Sequence, residues 1–103
     1  MSAANPVRGE ASVRVAGEAI VLRPSFQALV AAEGELGSLF ALVERAGEGR
    51  IALSEVAALF WHCRHGAPPA LTREQLGEAI VTGGLTRAMP VLRALLGQVL
   101  DGR

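Results

Sequence analysis

The spacing of apolar residues divides the chain into an alternating N-terminal segment and a longer helical remainder. Val13 and Val15 alternate with polar neighbours, and a second β-prone run follows at residues 19–22. Gly17-Glu18 stands between the two runs, and a glycine at the first central position favours a type II′ turn. The pattern predicts a β-hairpin that packs on helices, because a lone hairpin is only marginally stable in water.

After residue 23, apolar positions recur at the three- and four-residue spacing of amphipathic helices. The first helix is predicted to hold Pro24 in its first turn and to weaken near Gly34 or Gly37. Its predicted apolar stripe is Phe26, Leu29 and Val30. The predicted N-caps of the next three helices are Ser38, Ser54 and Thr72. In the last helix, Pro90 must lie in the first turn or cause a kink.

These patterns predict one α+β domain that is predominantly α-helical, with an N-terminal β-hairpin followed by about five short helices. Residues 1–9 are expected to form a flexible lead, and residues 10–101 to form the single domain. A chain of 103 residues suits one domain and argues against two.

Composition and charge exclude several classes of function. All ten cationic residues are arginine, and they are balanced by ten acidic residues spread along the chain. Without a basic stripe, we expect no nucleic-acid partner. No apolar run approaches the ~20 residues that span a bilayer, and residues 1–10 lack the apolar core of a secretory signal, so we expect no membrane association. A single cysteine excludes an internal disulfide.

The residues that could carry catalysis or bind metal are few. His62, Cys63 and His65 fall within four positions, but zinc usually takes its ligands from two separated pairs, and the chain has no second pair. Cys63 shares a helical face with apolar residues, whereas both histidines point toward the polar side. We therefore interpret Cys63 as a buried structural thiol and expect no catalytic residue, metal or cofactor. A small metal- or thiol-dependent enzyme is the alternative.

Two further residues stand beside the predicted core stripes. Glu33 lies seven residues after Phe26, and its expected role is to cap a helix or pair with an arginine. Trp61 lies off the apolar face of its helix, so it either packs on another element, such as the hairpin, or stays exposed as a binding anchor. Intramolecular packing is the favoured interpretation, and Trp61 is kept as a candidate partner-binding residue.

The order of short motifs along the chain resembles a known family. The motifs are Asn5-Pro6-x-Arg8-Gly9-Glu10, Leu22-Arg23-Pro24-Ser25-Phe26, Glu35-Leu36-Gly37-Ser38, Ile51-x-Leu53-Ser54-Glu55-Val56, Trp61 to Gly66, Leu71-Thr72, Gly77 and Gly84-Leu85. In this order they resemble the gene-transfer-agent family of small phage-tail proteins, which is grouped with the phage tail assembly chaperones. The resemblance covers the chain from about Asn5 to Leu100, with Gly34 standing where the family usually continues a helix.

The resemblance implies a non-enzymatic tail assembly factor, with residues 10–101 as a tail-assembly-chaperone-like domain. Its implied partners are the tail tape measure protein and the tail tube protein, with self-association as a further possibility. It implies a cytoplasmic protein that acts during particle assembly. The main hypothesis is a chaperone for the tape measure protein, and the alternative is a structural tube component retained in the particle.

The last helix offers the candidate partner surface. Its apolar stripe is Leu92, Leu95, Leu96, Val99 and Leu100. A terminal helix has few neighbours at its outer end, so Leu96, Val99 and Leu100 are predicted to be partly exposed in the monomer and covered by self-association or by a tape-measure helix. Plain core packing is the equally weighted alternative.

Overall fold

The computed structural model describes residues 10–101, which form a small antiparallel sheet and five helices. The strands are β1 (Ala11–Val15), β2 (Glu18–Leu22) and β3 (Arg64–His65). The helices are α1 (Phe26–Leu36), α2 (Leu39–Gly47), α3 (Leu53–Cys63), α4 (Arg73–Gly83) and α5 (Leu85–Asp101). The predicted predominantly helical α+β fold is confirmed. The predicted flexible lead, residues 1–9, lies outside the described residues.

The hairpin turn lies one residue earlier than predicted. Val15 pairs with Glu18, so Ala16 and Gly17 form the two-residue loop. Both residues have positive φ, 52° for Ala16 and 85° for Gly17. This is the type I′ arrangement and not the predicted type II′, because type I′ takes positive φ at both central positions. Gly17 is part of the turn, as predicted, but it occupies the second central position and not the first.

A third strand follows α3 directly and was not predicted. Arg64 and His65 pair antiparallel with Leu22 and Val21, giving the strand order β1-β2-β3. The backbone N–H of Arg23 also donates to the Cys63 carbonyl at 2.7 Å. The end of α3 is therefore tied to the hairpin through backbone hydrogen bonds.

Two of the predicted helix starts are confirmed. Ser38 caps α2, and its hydroxyl accepts from the backbone N–H of Ala41 at 3.2 Å. Thr72 and Gln75 form the predicted reciprocal capping box of α4, with hydrogen bonds of 3.1 and 2.9 Å.

Two other helix starts differ from the prediction. α1 begins after Ser25, whose hydroxyl accepts from the Ala28 N–H, so Pro24 lies outside the helix and not in its first turn. α3 begins after Ala52, two residues before the predicted cap Ser54. There the Glu55 carboxylate accepts from the Ala52 N–H at 2.8 Å, which supplies the capping bond from the third helical position.

Glycine and proline affect the helices at different points. α1 continues through Gly34 and ends at Gly37, which has a φ of 81°. The positive φ at the C-cap is the conformation that glycine adopts without a Cβ penalty. Pro90 lies in the second turn of α5 and not in the first, because the helix already begins at Leu85.

One core joins the sheet to all five helices. The predicted packing of the hairpin is confirmed for Val15, Ile20 and Leu22, which are buried, while Val13 is half-buried. The other buried members of this core are Ala32, Leu39, Leu42, Val56, Leu59, Phe60, Cys63, Leu76, Ile80, Ala88, Leu92, Leu95 and Leu96. The helices α4 and α5 both pack against β1.

The face that α1 turns to the core differs from the predicted stripe. Phe26 and Val30 are exposed, and Leu29 is only half-buried. The inward row is instead Ala28, Ala32 and Leu36, and α1 packs mainly on α3. Small alanines on this row let the two helix backbones approach closely, whereas a row led by Phe26 would hold them apart.

Buried and surface ion pairs connect neighbouring elements. Arg45 of α2 makes two hydrogen bonds, of 2.9 and 2.7 Å, with the carboxylate of Glu55 in α3. Glu10 is buried and accepts from Arg23 at 2.6 Å. The predicted helix-capping role of Glu33 is confirmed, because its carboxylate accepts from the Leu39 N–H at the start of α2 at 3.2 Å.

In residues 10–101, no helix is by itself long and apolar enough to cross a membrane. Two bent pairs, α1 with α2 and α4 with α5, reach that length and composition only when taken together.

Candidate functional site

Trp61 of α3 packs against the core and is contacted by two arginines, Arg64 of β3 and Arg73 of α4. Its ring is half-buried and packs against the core from α3. The guanidinium carbon of Arg64 lies 3.5 Å from the ring centroid, and that of Arg73 lies 5.8 Å away. These are cation–π distances, and Arg64 also donates to the Trp61 carbonyl at 2.6 Å. The favoured interpretation, intramolecular packing, is confirmed, although the neighbours include two arginines.

Glu35 is the polar centre of the same cluster. Its two carboxylate oxygens accept from Arg73 of α4 at 2.6 and 2.9 Å, and one of them lies 2.8 Å from Nε2 of His62 in α3. The Arg73 guanidinium, and secondarily His62, lower the pKa of the Glu35 carboxyl to about 2. One carboxylate thus links α1, α3 and α4. No local sequence pattern marks Glu35 as such a centre, because its partners His62 and Arg73 lie 27 and 38 residues further along the chain.

The three residues considered for metal or thiol chemistry point in different directions. Cys63 is fully buried, and burial raises the pKa of its thiol to about 12. His62 faces Glu35, and His65 is exposed in β3. A nucleophilic cysteine needs a lowered pKa and a nearby base, and Cys63 has the opposite environment. Within residues 10–101, no three His, Cys, Asp or Glu side chains are placed to hold a metal ion.

The predicted partner surface on α5 is exposed only at its outer end. Leu96 is 6% exposed, so its predicted partial exposure in the monomer is wrong. It shares the inward face with Leu92 and Leu95, where the core covers it. Val99 is half-buried against the core, while Leu100 is 57% exposed, as predicted.

Other large apolar side chains are exposed on several elements. They are Phe26 and Val30 on α1, Phe40 on α2, Leu53 on α3, Val81 on α4 and Leu85 at the start of α5. Scattered exposed hydrophobic residues are normal on a soluble domain, but Phe26 is 83% exposed and lies one turn from Val30. Both residues were predicted to belong to the apolar stripe of the first helix, and both are instead exposed on the surface.

An open groove lies between the hairpin tip and α4. It has a volume of about 1080 Å³, and its walls include the apolar side chains of Val15, Ile20, Leu71 and Ala79. Its charged rim carries Arg14, Glu18, Glu74, Glu78 and Arg87. An apolar floor with a rim of both charge signs suits an amphipathic peptide segment better than a small polar substrate.

Comparison with known proteins identifies a family. The family model described as "Phage tail tube protein, GTA-gp10" matches residues 8–102, which is nearly the whole chain. The chain belongs to this phage tail tube family. No curated protein and no solved structure matches it.

Membership of the GTA-gp10 family confirms the resemblance to small gene-transfer-agent tail proteins. The family is described as a tail tube protein, which agrees with the structural alternative better than with the chaperone hypothesis. Family membership therefore shows that the chain is a phage or gene-transfer-agent tail protein. Trp61, Leu96, Val99 and Leu100 remain predictions as partner-binding residues.

Proposed function

We propose that this chain is a non-enzymatic structural component of a phage or gene-transfer-agent tail, retained at the tail tube. The family match over residues 8–102 carries the proposal. The work of such a component is to bind other tail proteins, and it needs contact surfaces and no catalytic site. We further propose that it is made in the cytoplasm and acts there while the particle is assembled.

The surface of the domain supports a binding role. Exposed apolar side chains occur on every helix, with Phe26 on α1 and Leu100 on α5 among the most exposed. Aromatic residues such as phenylalanine are enriched at protein interfaces. A groove with an apolar floor also lies beside the hairpin. The one cysteine thiol is buried with a raised pKa, which favours a structural role over a nucleophilic one.

A second candidate function is a chaperone for the tape measure protein. The groove between the hairpin and α4 supports it, because an amphipathic helix laid in such a groove buries its apolar face while the charged rim pairs with its polar face. A chaperone of this kind would bind the tape measure protein before the tube forms and would leave before the particle is complete.

Quantitative mass spectrometry of purified particles tests the two functions. Gradient-purified particles and the lysate of the same cells are compared, with the major tail protein as the positive control and a cytoplasmic enzyme as the negative control. A structural component is expected in the particles at a constant ratio to the major tail protein. Absence from the particles, together with co-purification with the tape measure protein from the lysate, would replace the structural proposal with the chaperone.

A further inference from the structure

β1 is the edge strand of the sheet on the side away from β3. In residues 10–101 it pairs only with β2, and the strand order is β1-β2-β3. The two-residue turn makes Val15 and Glu18 a hydrogen-bonded pair, so every second residue of β1 bonds to β2. The backbone N–H and C=O groups of Ser12 and Arg14 therefore point away from β2, and none of these groups forms a hydrogen bond with a described residue.

The groove at the hairpin tip continues along this open edge. A second cavity, of about 220 Å³, adjoins it, and Arg14 and Arg87 line both. The described walls of the second cavity come from β1, α4 and α5 and include no residue of β2, so this cavity lies on the open side of β1. Its apolar side chains include Val13, Ala79 and Val91. We call the two adjoining cavities the edge groove.

We propose that the free edge of β1 binds an extended segment of a neighbouring tail protein, which lies in the edge groove and adds to the sheet as an antiparallel strand. The unpaired groups of Ser12 and Arg14 select an extended occupant, because a strand can pair with them through its own backbone. A helix bonds its backbone internally and would leave them unpaired. The edge groove therefore suits a strand better than the amphipathic helix considered for the chaperone function.

The side-chain directions of β1 define the chemistry of this segment. Val13 and Val15 point toward the core, whereas Ser12 and Arg14 are exposed on the opposite face. Side chains opposite the two valines would enter the edge groove and should be apolar. The side chain opposite Arg14 would lie beside its guanidinium, which forms no ion pair with a described residue, so a carboxylate is favoured there.

The end of the edge groove at the hairpin tip is acidic. Glu18, Glu74 and Glu78 line it, and none of these carboxylates is in an ion pair with a described residue. A basic side chain on the bound segment would complement them. Antiparallel pairing is slightly more stable per residue than parallel pairing, and an antiparallel segment runs away from the tip. The segment should therefore begin with a basic residue and continue with alternating apolar and polar residues, the first of the polar ones acidic.

The inference deepens the proposed function and rests on it only in taking the segment from another tail protein. The chemistry of the segment follows from the backbone and side chains of the edge groove alone. One short added strand buries little surface, so the isolated contact is expected to be weak. Weak contacts become effective where other tail contacts hold the two proteins side by side.

A synthetic peptide and the purified full chain test the mode of binding. The probe is Lys-Val-Glu-Val-Thr-Val with both ends blocked, in which the Glu is aligned with Arg14 and the Thr with Ser12. The control peptide is methylated on the backbone nitrogens of the Glu and the Thr, which removes the donors to β1 and leaves every side chain in place. In an NMR titration, the dissociation constant of the methylated peptide is expected to be at least about tenfold higher. Equal binding of the two peptides, or no saturable binding of the probe, would overturn the proposal.

Amide hydrogen exchange shows whether the bound peptide pairs with the edge. In the free chain, the Ser12 and Arg14 amides are expected to exchange fast, whereas the Val13 amide, which bonds to β2, exchanges slowly. Near saturation with the probe peptide, exchange at Ser12 and Arg14 should slow at least about tenfold. Slow exchange of these amides in the dilute free chain would mean that the edge is already covered. Protection that appears on concentrating the chain without peptide would mean that a second copy binds there, and either result overturns the proposal.

Two variants at one position separate backbone pairing from side-chain contact. Ser12→Pro removes an N–H that β2 does not use, and proline is tolerated on edge strands, so the melting temperature should stay close to that of the parent. Its dissociation constant for the probe peptide is expected to rise about tenfold, while Ser12→Thr should bind like the parent. The methylated peptide makes the same test on the unchanged chain if Ser12→Pro loosens the sheet. A folded Ser12→Pro chain that binds as strongly as Ser12→Thr would contradict the proposal.

A charge reversal tests the predicted position of the carboxylate. Arg14→Glu should weaken binding of the probe about two- to fivefold and strengthen binding of the peptide in which Lys replaces the Glu by a similar factor. If Arg14→Glu changes the binding of both peptides equally, the carboxylate does not lie opposite position 14 and the predicted register is wrong.

The natural source of the segment is tested with peptides that tile the tail tube and tape measure proteins. A bound peptide should carry the alternating pattern and should lose binding to Ser12→Pro but not to Ser12→Thr; if no peptide does so, the source is not one of these tail proteins and the inference fails. These outcomes are independent of the proposed function. Pairing at the β1 edge with the chain absent from purified particles would contradict the structural proposal alone, and a chain retained in particles without such pairing would contradict this inference alone.

Discussion

At the scale of single residues, closeness along the chain does not bring the candidate metal and thiol residues together at one site. His62, Cys63 and His65 are near neighbours in sequence, yet one faces Glu35, one is buried and one is exposed in β3. His62 and Cys63 are consecutive residues of α3, so their side chains lie on different faces of the helix. α3 ends at Cys63, and His65 lies in the strand β3, where its side chain points in a third direction. The periodicity predicted the burial of Cys63 correctly, because helical spacing alone places it with Val56, Leu59 and Phe60.

Cys63 is expected to behave as a small buried hydrophobe. We predict that Cys63→Ala lowers the free energy of unfolding by about 1 kcal/mol, through loss of a small buried group, and leaves partner binding unchanged. In the native parent chain, the thiol should resist alkylation at mildly alkaline pH because its pKa is raised to about 12. The measurements are thermal melting, pull-down of tail proteins and thiol labelling with and without denaturant. Loss of binding without loss of stability would contradict a purely structural role.

Glu35 should make the stability of the fold depend on acidity. Its pKa is lowered from 4.5 to about 2 by the hydrogen bonds from Arg73 and His62, so the folded state favours the ionised carboxylate. A lowered folded-state pKa gives a stabilisation that is present above pH 4.5 and is lost as the pH falls toward 2.

We therefore predict that the melting temperature of Glu35→Gln lies below that of the parent at about pH 6, and that the difference shrinks toward about pH 2.5. Glu44→Gln, at an exposed position of α2, is the control for removing one surface carboxylate. Glu55 also has a pKa lowered to about 2, so both chains lose its contribution in parallel. A Glu35→Gln difference that stays constant over this pH range would show that the carboxylate does not stabilise the fold.

At the scale of elements, the sequence predicted the hairpin and the five helices, but it predicted only in part which face of each helix packs on the core. Hydrophobic periodicity and capping residues predicted the hairpin and five helices, because these signals are local. β3 was not predicted, since two residues carry no period and gain their strand conformation by pairing with Val21 and Leu22. The prediction of which face of α1 packs on the core was wrong for a related reason. With apolar residues on both faces, its sequence does not show whether the Phe26 row or the Ala32 row packs inward.

The α5 stripe changes from core to surface along its length, which allows a matched experiment. Leu100 is 57% exposed near the C-terminal end and Leu85 is 54% exposed at the N-terminal end of the same helix. We predict that Leu100→Gln and Leu85→Gln each change the free energy of unfolding by less than about 0.5 kcal/mol, as exposed substitutions do. Only Leu100→Gln should weaken binding to tail proteins in a pull-down.

A third α5 variant separates core from surface. Val99 is half-buried against the core, so Val99→Glu is expected to destabilise the fold by about 1–3 kcal/mol, because it replaces an apolar contact with a partly desolvated charge. If Leu100→Gln and Leu85→Gln bind tail proteins as the parent does, the end of α5 is not a partner surface.

At the scale of the whole molecule, the candidate site was predictable only where its signal was local. Trp61 could be identified from its position off the helical face. Glu35 could not, because its partners His62 and Arg73 lie 27 and 38 residues further along the chain. Only the packing of α1, α3 and α4 brings them together. The groove beside the hairpin was likewise absent from the sequence pattern, since its walls come from the hairpin, the segment around Leu71 and α4.

The hairpin and the helices share one core, so the domain should melt as a single unit. Val15, Ile20 and Leu22 are buried among helical side chains, α4 and α5 both pack on β1, and β3 pairs only with β2 in residues 10–101. Deleting residues 1–23 removes these core side chains and leaves Arg64 and His65 without a pairing strand. Because neither part can bury its apolar face alone, we predict that the truncated chain loses its cooperative thermal transition, binds hydrophobic dyes and aggregates.

A point substitution keeps this prediction independent of the deletion. Leu22→Ala removes buried methyl groups from the centre of the shared core and is expected to lower the free energy of unfolding by about 2–5 kcal/mol. Ala19→Ser, at an exposed position of the same strand, is the control and should change it by less than about 0.5 kcal/mol. If hairpin and helices form one unit, circular dichroism and Trp61 fluorescence should report the same lowered melting temperature for Leu22→Ala. Two separate transitions, or a truncated chain that melts cooperatively at the full-length temperature, would mean that the helices fold without the hairpin.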